Sequence, residues 1–484
     1  MIIRNAACAL PGAERLLRRD IRVEGERIAA IAEHVEATEG EQVLDAGRLE
    51  LFPGAIDPHV HFNEPGFTSR EDFTHGSMAA ARGGVTTVID MPCTSLPPVT
   101  TLENLKTKLE AMGRHSVVDF ALYGGVSGHR IEESLERDMA ELAPHVVGFK
   151  CYFVSGMDTF TAVDHYGFGR AIARAAELGR PLLLHAEDAG VVVPATEAMM
   201  RRAVREGREP AWADYVDARP ESAELVAAAS ALALARGHEG TLHVVHVGTA
   251  EAAELLARGG ASAETCPHYL AFCAEDFSDK GSALKTAPPV KHRGQSDRLW
   301  KLLSDGSISF VTSDHAPCST AEKHTGSIWT DYGGIPGTGT VFPYLYSQGF
   351  RTGRLSLSAF LRATGGGAAV RFGLSKAKGS IEIGKDADFV LVDPEGSYTV
   401  RGDGLLSKGT TTPFEGIRLV GSIRETIVRG RPVWLGGPEG SLGALGIAPG
   451  PELSRGTSES VAAASDGRIV ADIGYGKHLT WGYR

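Results

Sequence analysis

The sequence predicts an α/β fold: a (β/α)₈ TIM barrel carrying a small β-sandwich domain built from both chain ends. Eight short apolar runs alternate with helical stretches through the middle of the chain. Several of these runs stop at histidine, lysine or aspartate, where a parallel barrel places its chemistry. The two ends carry short alternating stretches instead, the pattern of β-hairpins. A chain of 484 residues has room for a catalytic domain and a smaller satellite.

The runs are, in order, Ala55 to His61, Val85 to Met91, Val117 to Tyr123, Val146 to Lys150, Pro181 to His185, Leu242 to Val247, Ala261 to Cys266 (the weakest of the set) and Ile308 to Asp314. Phe168 to Leu178 and Ser222 to Arg236 have helical spacing and stop at Gly179 and Gly237. An open doubly wound sheet uses the same alternation, but no GxGxxG follows the first run, so its dinucleotide-binding version has no support. Residues 1–52 and 379–436 are expected to form one β-domain, 53–378 the barrel, and 437–484 a loosely held tail or an arm reaching a neighbouring subunit. Residues 186–220 and 319–340 are expected to be loops over the barrel mouth.

Net charge is −11 and basic residues are scattered, which argues against nucleic acid as a partner. Six separated cysteines with no CxxC pair read as reduced thiols. No apolar run is long enough to span a bilayer and Met1-Ile2-Ile3-Arg4 has no signal-peptide pattern, so the expected compartment is the cytoplasm.

His59-Val60-His61 places two imidazoles on one strand face, a pairing that suits zinc but is weak evidence alone. The odds change because Lys150, His185, His246 and Asp314 also sit at run ends. His243 competes with His246; three apart on a strand they face opposite ways, and His246 is the choice because it lies nearer the end. Lys150 is the odd member. Protonated, it repels cations; buried beside two of them, its pKa falls and the neutral amine can take up CO₂ as a carbamate able to bridge two metals. A lysine salt-bridged to a carboxylate is the alternative.

The chain resembles the cyclic-amide hydrolases of the amidohydrolase superfamily, a group that includes allantoinase, hydantoinase, dihydropyrimidinase and dihydroorotase. The resemblance spans roughly residues 1–435. It rests on Asp57-Pro58-His59-Val60-His61, Gly84-Val85-Thr86-Thr87-Val88-Ile89-Asp90-Met91-Pro92, Gly148-Phe149-Lys150-Cys151, Leu184-His185-Ala186-Glu187, Val245-His246-Val247, Glu264-Thr265-Cys266-Pro267-His268-Tyr269, Ser313-Asp314-His315-Ala316-Pro317 and Gly384-Lys385-Asp386-Ala387-Asp388. It implies two divalent metal ions, zinc being the expected metal. His59, His61, N6-carboxylated Lys150 and Asp314 would hold one ion, and Lys150, His185 and His246 the other. Two such ions about 3.5–4 Å apart lower the pKa of a shared water, and Asp314 would be the catalytic proton carrier. It also implies a small cyclic ureide or amide substrate, a homotetramer and no membrane partner.

Residues around the metals choose the ring. Dihydroorotases carry an arginine two positions after the second histidine, where a bidentate pair holds the substrate carboxylate; here that residue is Asn63. Hydantoinases carry a tyrosine five positions after the lysine; here it is Ser155. Both departures resemble allantoinase and imply allantoin opened to allantoate, with Asn63, Ser155, Ala287 and Gly334 as substrate contacts. Phe67-Thr68-Ser69-Arg70-Glu71-Asp72-Phe73 and Tyr332-Gly333-Gly334 fit that group less well. Arg70 is read as a solvated surface residue, with reach to an acidic substrate as its other reading. The alternatives are a hydantoinase or dihydropyrimidinase type of hydrolase, then dihydroorotase, and, from a different class, a non-catalytic scaffold of the dihydropyrimidinase-like kind.

Overall fold

The computed structural model describes residues 1–437 and 467–484. Eight parallel strands form the barrel: strand 1 (Ala55–Val60), 2 (Val85–Asp90), 3 (Asp119–Leu122), 4 (Phe149–Tyr152), 5 (Leu182–His185), 6 (Leu242–Val244), 7 (Ser262–Thr265) and 8 (Phe310–Val311). Strand 3 reaches strand 4 through Gly124–Gly125, which pairs with Phe149 and Lys150. Strands 4 to 8 then pair in sequence. Ile56, Ile89, Ala121, Val147, Leu183, Val245 and Phe310 fill the interior, as alternation along short strands requires.

The barrel closes beyond the end of strand 8. His61 N–H donates to the His315 carbonyl at 2.8 Å, and His315 N–H donates to the His59 carbonyl at 3.3 Å. The buried Asp57 carboxylate reinforces this seam by accepting from Thr312 Oγ1 at 2.8 Å and from Ser313 N–H at 3.0 Å. The backbone bonds that close the barrel therefore flank the side chains of His59, His61 and Asp314.

Helix boundaries follow their caps. Asp164 accepts from Gly167 N–H and opens His165–Glu177, and Gly179 at φ +63° ends that turn. Asp188 opens Ala189–Glu206 in the same way. This helix and Trp212–Asp217 occupy most of 186–220, so that segment is largely helical rather than a loop. The 319–340 segment keeps its loop character, with one short helix at Thr320–Lys323.

Strands from both ends share one nine-stranded sheet. Glu50–Pro53 pairs antiparallel with Phe389–Thr399, joining the N-terminal strands to the C-terminal ones. Ile3, Ile21, Leu44, Leu51, Phe389, Leu391 and Ile427 form its buried core. Residues 438–466 of the expected tail lie outside the described residues. Residues 467–484 are not loosely held. Gly467–Ile469 pairs with Arg431–Gly436, Leu479 is fully buried, and Phe120 exchanges backbone bonds with Lys477 and Leu479. Apolar contacts along the barrel's underside, such as the stacked rings of Phe120 and His478, offset the entropy of ordering this segment.

An ionic cluster locks barrel to sheet. Lys378 Nζ lies 2.6 Å from Asp119, 2.8 Å from Asp386 and 2.7 Å from Asp388, with all four side chains buried. Arg429 pairs with Asp119 and donates to the Tyr475 carbonyl at 2.8 Å. Three converging carboxylates resemble a cation site, but the Lys378 ammonium already fills it. Lys378→Ala would leave three buried anions facing two arginines, Arg27 on Asp386 and Arg429 on Asp119. The expected loss is about 3–5 kcal/mol, measured as a lower denaturation midpoint. A midpoint equal to that of the parent chain would remove this cluster from the account.

Candidate metal centre and active site

Strand ends bring His59, His61, Lys150, His185, His246 and Asp314 together. Asp314 Oδ1 is 3.3 Å from both His59 Nε2 and His61 Nε2. His185 Nδ1 is 3.0 Å from His246 Nε2, and the His59 and His246 ring centroids are 5.3 Å apart. The four imidazoles thus form one continuous patch with a carboxylate at its edge.

Lys150 sits one step deeper than expected. Strand 4 runs on to Tyr152, which pairs in register with His185, while Lys150 pairs with Leu183. Its long side chain rises from the lower layer. It is fully buried, and its Nζ finds no hydrogen-bond partner among the described residues. Burial pulls the amine down to about 8. The salt-bridged alternative has no support, since none of the described ion pairs involves Lys150.

His243 and His246 do not sit on opposite faces, contrary to the expectation from strand alternation. Strand 6 stops at Val244 and His246 adopts φ +40°, so alternation no longer governs its ring. His243 does face inward, against Phe310 at 5.2 Å, and His246 reaches the centre as well. Asp314 at φ +49° and Asn63 at φ +60° also occupy the left-handed region. Non-glycine residues take that conformation at a cost, and such strain gathers at functional sites.

Three of the four imidazoles are oriented from behind. Glu264 on strand 7 receives His59 Nδ1 at 2.7 Å and His243 Nε2 at 3.1 Å. Glu187 holds His185 Nε2 at 3.0 Å and is itself paired with Arg219. Thr94 Oγ1 lies 3.1 Å from His61 Nδ1. These contacts leave His59 Nε2, His61 Nε2, His185 Nδ1 and His246 Nε2 facing the centre, the arrangement of backing groups that metal-binding histidines use. Burial drives His59, His185 and His246 towards the neutral form that binds metal. Burial opposes charge on His61, yet Asp314 and Cys93 raise it to about 10. Burial also opposes charge on Asp314, but His59, His61 and His246 hold it well below the usual carboxylate range. A cation beside an ionised Asp314 is what this corner favours. His59, His61 and Asp314 form a group whose ligand atoms lie within one ion's reach. The donor set of imidazole and carboxylate suits zinc, and the Lys150 amine and His246 Nδ1, without hydrogen-bond partners among the described residues, leave polar capacity to spare.

Sequence reasoning assigned no role to Glu264, Glu187, Thr94 or His315. His315 is buried; its Nε2 lies 3.1 Å from Glu71 and its Nδ1 accepts from Gly337 N–H at 3.1 Å, which fixes the turn beside Asp314. The signal for Glu264 was its inward place at the end of the weakest run.

The expected substrate contacts fare differently. Asn63 is fully buried and both amide atoms lack partners among the described residues. The Ser155 hydroxyl is committed to the loop, donating to the Phe160 carbonyl at 2.7 Å and accepting from Met157 N–H at 3.1 Å. Ala287 lies in a segment held by Tyr215, whose hydroxyl donates to the Thr286 carbonyl at 2.7 Å. Gly334 passes so close to Ala316 that a Cβ would meet the Ala316 carbonyl at 2.4 Å. Arg70 is not a free surface residue. It pairs with Glu322 at 2.7 Å and lies 4.5 Å over the Tyr332 ring, tying the loop after strand 1 to the 319–340 loop.

The amidohydrolase family pattern matches residues 51–433. The chain is 38% identical to an allantoinase of Rubrobacter xylanophilus, over 90% of this chain and 94% of that one. It is 35% identical to an allantoinase of Streptomyces avermitilis, over 87% and 94%. Among solved structures, an L-hydantoinase (dihydropyrimidinase) from Arthrobacter aurescens matches with a TM-score of 0.86 and 27% identity, covering 99% of each chain. A dihydropyrimidinase from Brevibacillus agri matches with a TM-score of 0.84 and 27% identity, covering 100% and 98%.

Glu264→Gln keeps the shape but weakens the acceptor behind His59. Metal affinity is expected to fall about 10- to 100-fold, measured by competition with a chelator. Undiminished affinity would show that His59 needs no such support.

Proposed function

Because the chain belongs to the amidohydrolase family, we propose that it hydrolyses the C–N bond of a cyclic ureide, opening allantoin to allantoate with two bound divalent ions. The observation that carries the choice of ring is Asn63: a neutral amide, fully buried two residues past His61, with donor and acceptor both without partners among the described residues. A ureido group offers the complementary donor and acceptor; a carboxylate would need a cation there. Arg70 does not supply that cation, since Glu322 and Tyr332 engage its guanidinium. The allantoinase relatives support the same reading.

His59, His61, Lys150 and Asp314 would hold one ion, and Lys150, His185 and His246 the other, with Lys150 as its carbamate. Bound there, the ions supply Lewis acidity and make water acidic enough to react near neutral pH. Asp314 takes a proton from the attacking water and passes it to the departing ring nitrogen, so a carboxylate and a ureido NH2 replace the ring amide. The His59 and His61 rings keep Asp314 ionised for the first transfer. The buried wall of Tyr152, Phe160 and Val245 excludes bulk water from the base of the site. Backbone groups around Ala287 and Gly334 are the proposed edge contacts. Zinc is the proposed metal, and a cytoplasmic homotetramer the proposed setting, on resemblance alone.

A hydantoinase reading is favoured by the structural likeness, but that likeness reports the shared barrel as much as the substrate. Turnover of allantoin, hydantoin, dihydrouracil and dihydroorotate measured side by side should favour allantoin clearly; preference for any other ring overturns the assignment. Asp314→Asn should lower kcat by about 10²- to 10⁴-fold while the imidazoles still retain metal. Activity near that of the parent chain would assign the proton transfer elsewhere.

A further inference from the structure

We propose that Cys93 and Tyr152 form a positioning pair that ties the two groups of metal ligands to each other; this rests on the binuclear reading above. Tyr152 ends strand 4, two residues past Lys150 and on the same face. Its ring lies 4.5 Å from Lys150 Nζ. It also stacks on His185, with centroids 5.1 Å apart and planes inclined by 25°. One tyrosine therefore braces both the lysine and a histidine of the second group.

Its hydroxyl points the other way. Tyr152 Oη is 3.0 Å from Cys93 Sγ, in the segment that follows strand 2. The same sulfur lies 3.9 Å from His61 Nδ1, and the next residue, Thr94, holds that nitrogen at 3.1 Å. A path of direct contacts runs from His61 through Cys93 to Tyr152, and from there to Lys150 and His185. Each link joins groups that are nearly or fully buried.

Packing alone does not account for this thiol. A buried cysteine that only fills space behaves as a small hydrophobe. Here it is the one hydrogen-bond partner of the Tyr152 hydroxyl among the described residues, and a buried phenol without a partner is costly. Removing the thiol would orphan that hydroxyl, let the Tyr152 ring turn, and loosen His185 and Lys150 together. It would also take away the sulfur beside His61. Neither residue reaches the reacting atoms in this scheme; the pair acts by holding ligands in place.

The test uses the full chain loaded with zinc. The parent, Cys93→Ala, Cys93→Ser, Tyr152→Phe and the Cys93→Ala/Tyr152→Phe double variant are compared for zinc per chain, rate of zinc transfer to a chelator, kcat and KM for allantoin, and thermal midpoint. Cys93→Ala and Tyr152→Phe should each release zinc about 10- to 100-fold faster, with kcat lowered more than KM is raised. The double variant should be no worse than either single one, because both remove the same link. Cys93→Ser, which keeps a hydrogen-bonding hydroxyl, should behave like the parent. Parent-like release by Cys93→Ala and Tyr152→Phe, losses that multiply in the double variant, or a serine no better than alanine would each overturn the proposal. If Cys93→Ala does not fold, Tyr152→Phe and Cys93→Ser decide the question on the same readouts. A parent protein that holds zinc but leaves allantoin intact refutes the substrate and leaves this inference to the release rates. A parent that binds no zinc refutes both.

Discussion

Lys150 places an amine, fully buried and without a hydrogen-bond partner among the described residues, beside four imidazoles and an ionised carboxylate. A bare ammonium in that position would forgo both hydration and pairing, at a cost of several kcal/mol. Burial instead lowers the amine to about 8, within reach of the neutral form that reacts with CO₂. A carbamate there would reverse the sign of charge at the centre, turning a group that repels cations into one able to draw two.

The architecture converts that local chemistry into a fixed geometry. The backbone bonds joining His59, His61 and His315 close the barrel at the level of the candidate ligands, so loosening the seam would spread the site. Asp57 braces the same seam from inside. His246 and Asp314 leave the strand conformation to aim their side chains inward, and Glu264 and Glu187 then hold the rings that result. Strain at the rim is tolerated because a dense interior and a buried ionic lock at the base, centred on Lys378, over-determine the frame. Single side chains here touch several candidate ligands at once, as Tyr152 does Lys150 and His185.

Much of this was legible from residue order, and the misses have physical causes. Runs of apolar residues ending in His, Lys or Asp mark a barrel rim because side-chain alternation and the parallel fold leave few other uses for them. The candidate ligand set follows from that pattern together with the family resemblance, and the structure brings those side chains together at one rim. Two inferences failed where local backbone departs from ideal strand. The supposed opposition of His243 and His246 assumed extended chain through residue 246, whereas strand 6 ends at Val244. The apolar run Val146 to Lys150 predicts a strand ending at the lysine, whereas strand pairing begins at Phe149 and continues to Tyr152. Backing residues such as Glu264 and Thr94 are long-range partners, and nothing in a linear sequence pairs Glu264 with His59. The C-terminal stretch reads as loose because it is rich in Gly, Ser, Ala and Pro; Leu479, Trp481 and Tyr483 near the end are the anchors.

The most direct measurement is a crystal structure of the chain grown with zinc and bicarbonate, with anomalous scattering recorded on both sides of the zinc edge. The account predicts two anomalous peaks among His59, His61, His185, His246 and Asp314, with continuous density from Lys150 Nζ for a carboxylate lying between them. A clear map with an unmodified lysine amine and no anomalous peak would contradict it.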